Sequence, residues 1–202
     1  MKKAQVQRKS QGTGKAWTVA LVVFLGAVLV MAAILALGGG TSFTLKSGAT
    51  LPSFSATDLD GKAIDNSFFA SHRVTMVNVW GTFCGPCIQE MPDLAQLPAA
   101  FAPADFALVG IVADTSYQNT SANAETNATA RQLVASAQAT YPSIIPDRVL
   151  VEQVLPGVSV VPTTFFVDSS GTLIGDPIEG SGTKEQWINL IQSVLDSLPA
   201  AP

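Results

Sequence analysis

Cys84 and Cys87 are the only thiols of this chain, and they stand three apart in Cys84-Gly85-Pro86-Cys87. Two thiols at that spacing can close a small ring and open it again, which suits reversible redox exchange better than structural cross-linking. The same spacing also serves as half of a zinc site or as the start of a haem-attachment motif. A structural zinc site asks for about four ligands, and beyond the two cysteines the chain has a single histidine, His72. Haem attachment asks for a histidine directly after the second cysteine, where Ile88 stands. Redox chemistry is the expectation, with no metal and no cofactor called for.

The elements that must position this pair are a strand and a helix. Val74-Thr75-Met76-Val77-Asn78-Val79-Trp80 is an apolar run that reads as a buried central strand, and Cys84 to Leu97 reads as a helix stopped by Pro98. A cysteine at a helix N-terminus faces unpaired backbone N–H groups and the positive end of the helix dipole, both of which favour thiolate over thiol. Cys84 is therefore expected to be the attacking sulfur, with Cys87 one turn deeper as the thiol that resolves a mixed disulfide. Gly85 leaves room for another backbone to approach, and Pro86 sits in the first turn, where its missing N–H costs nothing.

Further along, Phe54 to Thr57 and Lys62 to Ile64 flank Asp60-Gly61 as a hairpin, and Phe106 to Ala113 reads as a second parallel-type strand. From Asp114 to Pro146 the composition shifts to Asn, Thr, Ser and Ala, while Ala130, Leu133, Val134, Ala137 and Tyr141 keep helical spacing, so this stretch reads as an inserted helix. Thr163 to Val167 is a strand, and Thr172 to Ile174 pairs back against it after Asp168-Ser169-Ser170-Gly171. A final helix starts at Thr183 with Gln186 completing a capping box, and Trp187, Leu190, Ile191, Val194, Leu195 and Leu198 form its apolar face. The pattern predicts an α/β layered domain with a mixed sheet over residues 51–198. His72 reads as a surface residue.

Ahead of the domain, Lys2, Lys3, Arg8, Lys9 and Lys15 precede the uncharged run Ala16 to Leu37. A run of this length matches the roughly 20 residues of a membrane-crossing helix. It predicts a single-pass signal-anchor at 16–37 in a bacterial cell membrane, with residues 1–15 in the cytoplasm and the rest on the extracytoplasmic face. Ala36-Leu37-Gly38 leaves cleavage open. Residues 38–50, opening with Gly38-Gly39-Gly40, read as a flexible linker, with folded structure beginning near Leu51. The part outside the membrane carries six basic residues against all fifteen acidic ones, which excludes nucleic acid as a partner.

Trp80-Gly81-Thr82-Phe83-Cys84-Gly85-Pro86-Cys87 and, much later, Val161-Pro162-Thr163 resemble the two halves of a thioredoxin-fold active site. More narrowly, Leu51-Pro52-Ser53-Phe54, Asp58 to Lys62, Val77 to Trp80 and Cys87-Ile88-Gln89-Glu90-Met91-Pro92 resemble the TlpA/ResA-like branch of membrane-anchored thiol-disulfide oxidoreductases. The resemblance implies a thioredoxin-like fold: a central mixed sheet flanked by helices, an N-terminal hairpin extension and a family-type insertion at 114–146. It also implies a cis Val161-Pro162 bond beside the cysteines, with the Val161 backbone presented to an extended substrate. Glu90, three residues after Cys87, shares its helix face. The family makes it the proton partner of Cys87, with a pKa raised by burial. Thioredoxin carries a buried aspartate on the strand before the motif, and Asn78 stands at that place here. Pro92 removes the helical hydrogen bond to the Ile88 carbonyl and should kink the helix. Trp80 and Phe83 take supporting roles. Many relatives have tryptophan where Phe83 stands and a basic residue where Ile88 stands.

The activity implied is reduction of disulfides in extracytoplasmic proteins, for cytochrome c maturation or surface protein repair, with electrons from a membrane carrier of the CcdA/DsbD type. A disulfide oxidant or isomerase would use the same residues with electrons reversed. A module that only binds peptide or copper is the alternative from another class, though copper chaperones of related fold use wider cysteine spacing plus a histidine. A peroxiredoxin shares the Phe54 to Lys62 pattern but needs a different cysteine motif.

Overall fold

The structure, a computed structural model, describes residues 43–199. The expected basic N-terminus at 1–15, the anchor at 16–37 and the linker residues 38–42 lie outside the described residues. Among the described residues no helix is long and apolar enough to cross a membrane.

Seven strands form one mixed sheet: β1 (Ser55–Asp58), β2 (Ala63–Asp65), β3 (Val74–Trp80), β4 (Phe106–Val112), β5 (Ser143–Ile145), β6 (Thr163–Asp168) and β7 (Leu173–Glu179), in the order β2-β1-β5-β4-β3-β6-β7. β3 pairs with β4 in parallel and with β6 antiparallel, and every residue of β3 and β4 is buried. A strand covered on both faces has no polar side to alternate with, hence the near-continuous apolar runs. One face, with Val77, Val79, Val109, Ile111, Phe165 and Val167, packs against Phe54, Phe69, Leu150 and Val154. The other, with Val74, Met76, Trp80, Leu108 and Phe166, receives the three longer helices.

The helices are α1 (Ser67–Ala70), α2 (Gly85–Leu94), α3 (Ser121–Ser136) and α4 (Lys184–Ser197). The α4 capping box is formed, and Trp187, Ile191 and Leu195 are its buried stripe. α2 stops at Leu94, short of the expected end at Leu97, and Pro98 lies inside a separate 3₁₀ turn, Leu97–Ala100. Proline at the start of a helical turn has no donor to lose, so Pro98 begins a turn where the sequence pattern had it ending a helix.

Three stretches depart further from the sequence pattern. The segment at 114–146 contributes a helix and also β5, which inserts between β1 and β4 and lies parallel to β4. Only three residues long and bracketed by Pro142 and Pro146, β5 leaves too short a period to detect. Residues 43–50, expected to be tether, are docked: Leu45 is buried, Ser47 N donates to Asp176 Oδ1 at 3.0 Å, and Thr50 bridges to Thr172. Residues 150–157, without an element in the sequence reading, form a π turn followed by a 3₁₀ turn.

Candidate active site

Cys84 is the N-cap of α2, in extended conformation with φ −86° and ψ 100°, and its Sγ accepts the Cys87 amide at 3.2 Å. This is the position where a sulfur meets the unpaired amides of the first turn. The two cysteines form a disulfide with an S–S distance of 2.01 Å and Cα atoms 5.3 Å apart. The structure therefore holds the oxidised end state of the exchange. Gly85 and Pro86 fill the first turn, and a Cβ on Gly85 would meet nothing within 4 Å, so the approach to the disulfide there is open.

Val161-Pro162 is a cis peptide. It precedes β6, which pairs with β3, and so it lies across from the cysteines despite a sequence separation of 77 between Cys84 and Val161. The Val161 carbonyl oxygen is 3.5 Å from Cys84 Sγ, and Pro162 O accepts Gly180 N at 2.8 Å. Beside them, Phe83, Ala113, Leu155, Val158, Val160 and Val161 line an apolar groove of about 480 Å³. Phe83 is 74% exposed, and its ring lies over Gly81, where a Cβ would approach it to 2.8 Å. Trp80, by contrast, is wholly buried beneath the cysteines.

One carboxylate at this rim escapes the sequence pattern. Asp114, just past the end of β4, accepts the Thr82 amide at 3.1 Å on each oxygen and also the Thr82 hydroxyl. It clamps the loop between Trp80 and Cys84. The available signal was an aspartate at the C-terminal end of a parallel strand, where open α/β sheets place their functional loops.

Glu90 is on the buried side of α2 with Cys87, Met91 and Leu94, and is 4% exposed. Asn78 Nδ2 donates to its Oε1 at 3.3 Å, and Gly182 N donates to its Oε2 at 3.0 Å. Asn78 Nδ2 also donates to Thr164 Oγ1 at 3.0 Å. Burial pushes the Glu90 carboxyl above its ordinary value, and the negative charge of Asp93 adds to this. The Gly182 amide, the Asn78 amide and the Trp187 indole N–H pull the other way without overcoming it. The carboxyl is thus shaped to hold a proton more firmly than a surface glutamate does, while donors stand by for its charged form.

Pro92 lies inside α2, which ends two residues later, and the Ile88 carbonyl there lacks its usual helical donor. His72 is on the loop before β3, with Nδ1 2.7 Å from Pro103 O, away from the cysteines in the chain. Two other hollows of about 550 and 560 Å³, both lined in part by Arg131, contain no cysteine.

The sequence pattern of the Redoxin family matches residues 46–186. The thiol-disulfide oxidoreductase ResA of Bacillus cereus is 30% identical over 172 residues, covering 80% of this chain and 92% of that protein. The ResA protein of Geobacillus thermodenitrificans is 29% identical, covering 73% and 77%. Among solved structures, a DsbF homologue from Corynebacterium diphtheriae aligns with a TM-score of 0.58 at 24% identity, over 80% of this chain and 96% of that one. The thioredoxin domain of a Bacteroides vulgatus thiol-disulfide oxidoreductase aligns with a TM-score of 0.59 at 18% identity, over 75% and 99%. These structural likenesses show the thioredoxin-like fold. With a cysteine pair at a helix N-cap on that fold, the chain belongs to the redoxin family as a thiol-disulfide oxidoreductase of the ResA type.

Proposed function

We propose that this oxidoreductase is a reductant of disulfides in exported proteins, held at the extracytoplasmic face of the cell membrane by residues 16–37. Cytochrome c maturation or repair of surface proteins would supply the substrates, and a membrane carrier of the CcdA/DsbD type would supply electrons. The observation that carries the chemistry is Cys84 Sγ at the N-cap of α2, beside the Val161 carbonyl and the open face over Gly85.

In the reduced chain the Cys84 thiolate attacks one sulfur of a substrate disulfide. A mixed disulfide forms, and the other substrate sulfur leaves as a thiolate that takes up a proton. Val161 offers its carbonyl to an extended substrate backbone, and the apolar groove takes up a neighbouring side chain. Glu90 then accepts the Cys87 proton, and the Cys87 thiolate attacks Cys84 Sγ. The mixed disulfide breaks, and the second substrate sulfur leaves as a thiolate that takes a proton from solvent. The substrate so departs as a dithiol with two electrons gained, and the chain is left with the Cys84–Cys87 disulfide.

The direction of electron flow is tested by the reduction potential of the pair. A value near the roughly −270 mV of thioredoxin supports the reductant; one near the roughly −120 mV of DsbA makes the chain an oxidant. Topology is tested separately. Protease added to intact spheroplasts should remove the domain and leave a small membrane stub, and full protection would reject the external placement.

A further inference from the structure

Each oxygen of an ionised carboxylate can accept two hydrogen bonds, yet Glu90 has one donor on each, Asn78 Nδ2 and Gly182 N. Beside it stands a donor with nothing to donate to. Trp187, 3% exposed on the first turn of α4, has an indole Nε1 without a hydrogen-bond partner. A buried N–H left unpaired is costly enough to be rare, and it calls for an explanation.

Gly182 supplies the geometry. A Cβ built on Gly182 would stand 2.9 Å from Trp187 Nε1 and 2.8 Å from Cε2, so the polar edge of the indole lies against the bare Cα of this glycine. The same residue's amide holds Glu90 Oε2 at 3.0 Å. The missing side chain therefore lets two N–H groups, one backbone and one indole, converge on one side of the carboxyl while Asn78 approaches from β3. The indole N–H already favours the charged form of Glu90 without a formed hydrogen bond.

We propose that Trp187 is a positioning residue for Glu90, its indole N–H a reserve donor that closes onto the carboxylate when Glu90 gives up its proton. This rests on Glu90 serving as the proton partner of Cys87. In the exchange the proton passes between Cys87 Sγ and the Glu90 carboxyl; the indole keeps its own proton and contributes only a hydrogen bond. When Cys87 hands over its proton the indole is released, and when Glu90 loses it again the indole engages.

The other groups facing this node are few. α2 brings Asp93, whose charge opposes ionisation of Glu90, and Cys87 itself. The segment before β5 brings Tyr141, a buried phenol with an unpartnered hydroxyl and a proton affinity raised by burial and by Glu90. β3 and β6 bring only uncharged Asn78 and Thr164. From α4, the Lys184 amide donates to Asp93 and its ammonium to Gln96.

The test is ¹H–¹⁵N spectroscopy of the reduced full chain from acid to alkaline pH. The chain has three tryptophans, Trp17, Trp80 and Trp187, and Trp187→Phe assigns the resonance. The Trp187 indole proton should move downfield with the same midpoint as the Glu90 side-chain carboxyl carbon, and Glu90→Gln should abolish that movement. Gly182→Ala keeps the amide but displaces the indole, and should raise the Glu90 midpoint by roughly one pH unit. An indole resonance that stays still while Glu90 titrates overturns the proposal, and this reading comes from the wild-type chain alone should Gly182→Ala fail to fold. If the indole tracks Glu90 while Glu90→Gln exchanges disulfides at the wild-type rate at every pH, the hydrogen bond stands and the catalytic role of Glu90 falls.

Discussion

On the Cys87 side of the disulfide, α2 buries a carboxyl between an amide from β3 and an amide from the β7–α4 loop. On the Cys84 side, Phe83 and Val160 stand in solvent around a groove with no charged lining residue. On the proposed mechanism the two flanks divide the labour of disulfide exchange. Proton transfer needs a group whose affinity is tuned by burial and fixed donors, so it sits inside. Recognition needs apolar area that is exposed before a partner arrives and buried afterwards, so it sits outside. The boundary runs between two sulfurs 2.01 Å apart.

The largest effect that separates the flanks is removal of the inner sulfur. Cys87→Ser should abolish turnover and accumulate mixed disulfides through Cys84, visible by mass spectrometry after trapping with substrate. Accumulation through Cys87 in the complementary Cys84→Ser chain would exchange the roles of inside and outside. Next comes Glu90→Gln, which should slow resolution of mixed disulfides by about tenfold to a hundredfold at neutral pH. Wild-type turnover should fall as pH drops through the raised Glu90 value, because the protonated acid can no longer accept from Cys87, and the variant should lose that acid limb.

The same carboxyl makes a stability prediction with a defined sign. Its proton affinity is higher folded than unfolded, so the folded chain keeps a proton over a range in which the unfolded chain has released it. Stability from this source is present below the ordinary glutamate value and is lost as pH rises through the folded one. Glu90→Gln should therefore melt above wild type at about pH 8, with the gap closing near pH 4.

Outer-flank changes should be smaller and selective. Phe83→Ser should lower kcat/KM by about tenfold for a peptide disulfide with a leucine beside its cysteine, and by less for one with an aspartate there. Equal losses on both peptides would argue that Phe83 does not read the substrate. Smallest is Asp114→Ala, which frees the Thr82 amide and hydroxyl and should cost about 1–2 kcal/mol in denaturant unfolding.

The elements that position the cysteines were readable in the sequence because their signals are local. β3 is seven consecutive buried residues, Cys84 caps its own helix, and Thr183 with Gln186 announces α4 within four residues. What stayed hidden depends on partners far along the chain. Gly182 meets Glu90 across 92 residues and Thr164 meets Asn78 across 86, and neither glycine nor threonine carries a local mark of that contact. Asp114 looked like the first residue of a polar insertion. The docking of Leu45 was masked by the glycines before it, whose composition speaks of flexibility whatever their neighbours do.

The bond between Glu90 and Gly182 also orders events during synthesis. β3, Cys84, Cys87 and Glu90 leave the ribosome first, but β6, the strand on the other flank of β3, and the amide that holds Oε2 are made some 70 to 90 residues later. Contacts of such separation form late in folding, after the loops between them have closed. A nascent chain halted before Gly182 would already carry both thiols, yet would lack the amide that holds Glu90 Oε2. On the proposed mechanism such a chain could still form mixed disulfides through Cys84 but would resolve them slowly, so full turnover comes only once Gly182 has docked against Glu90.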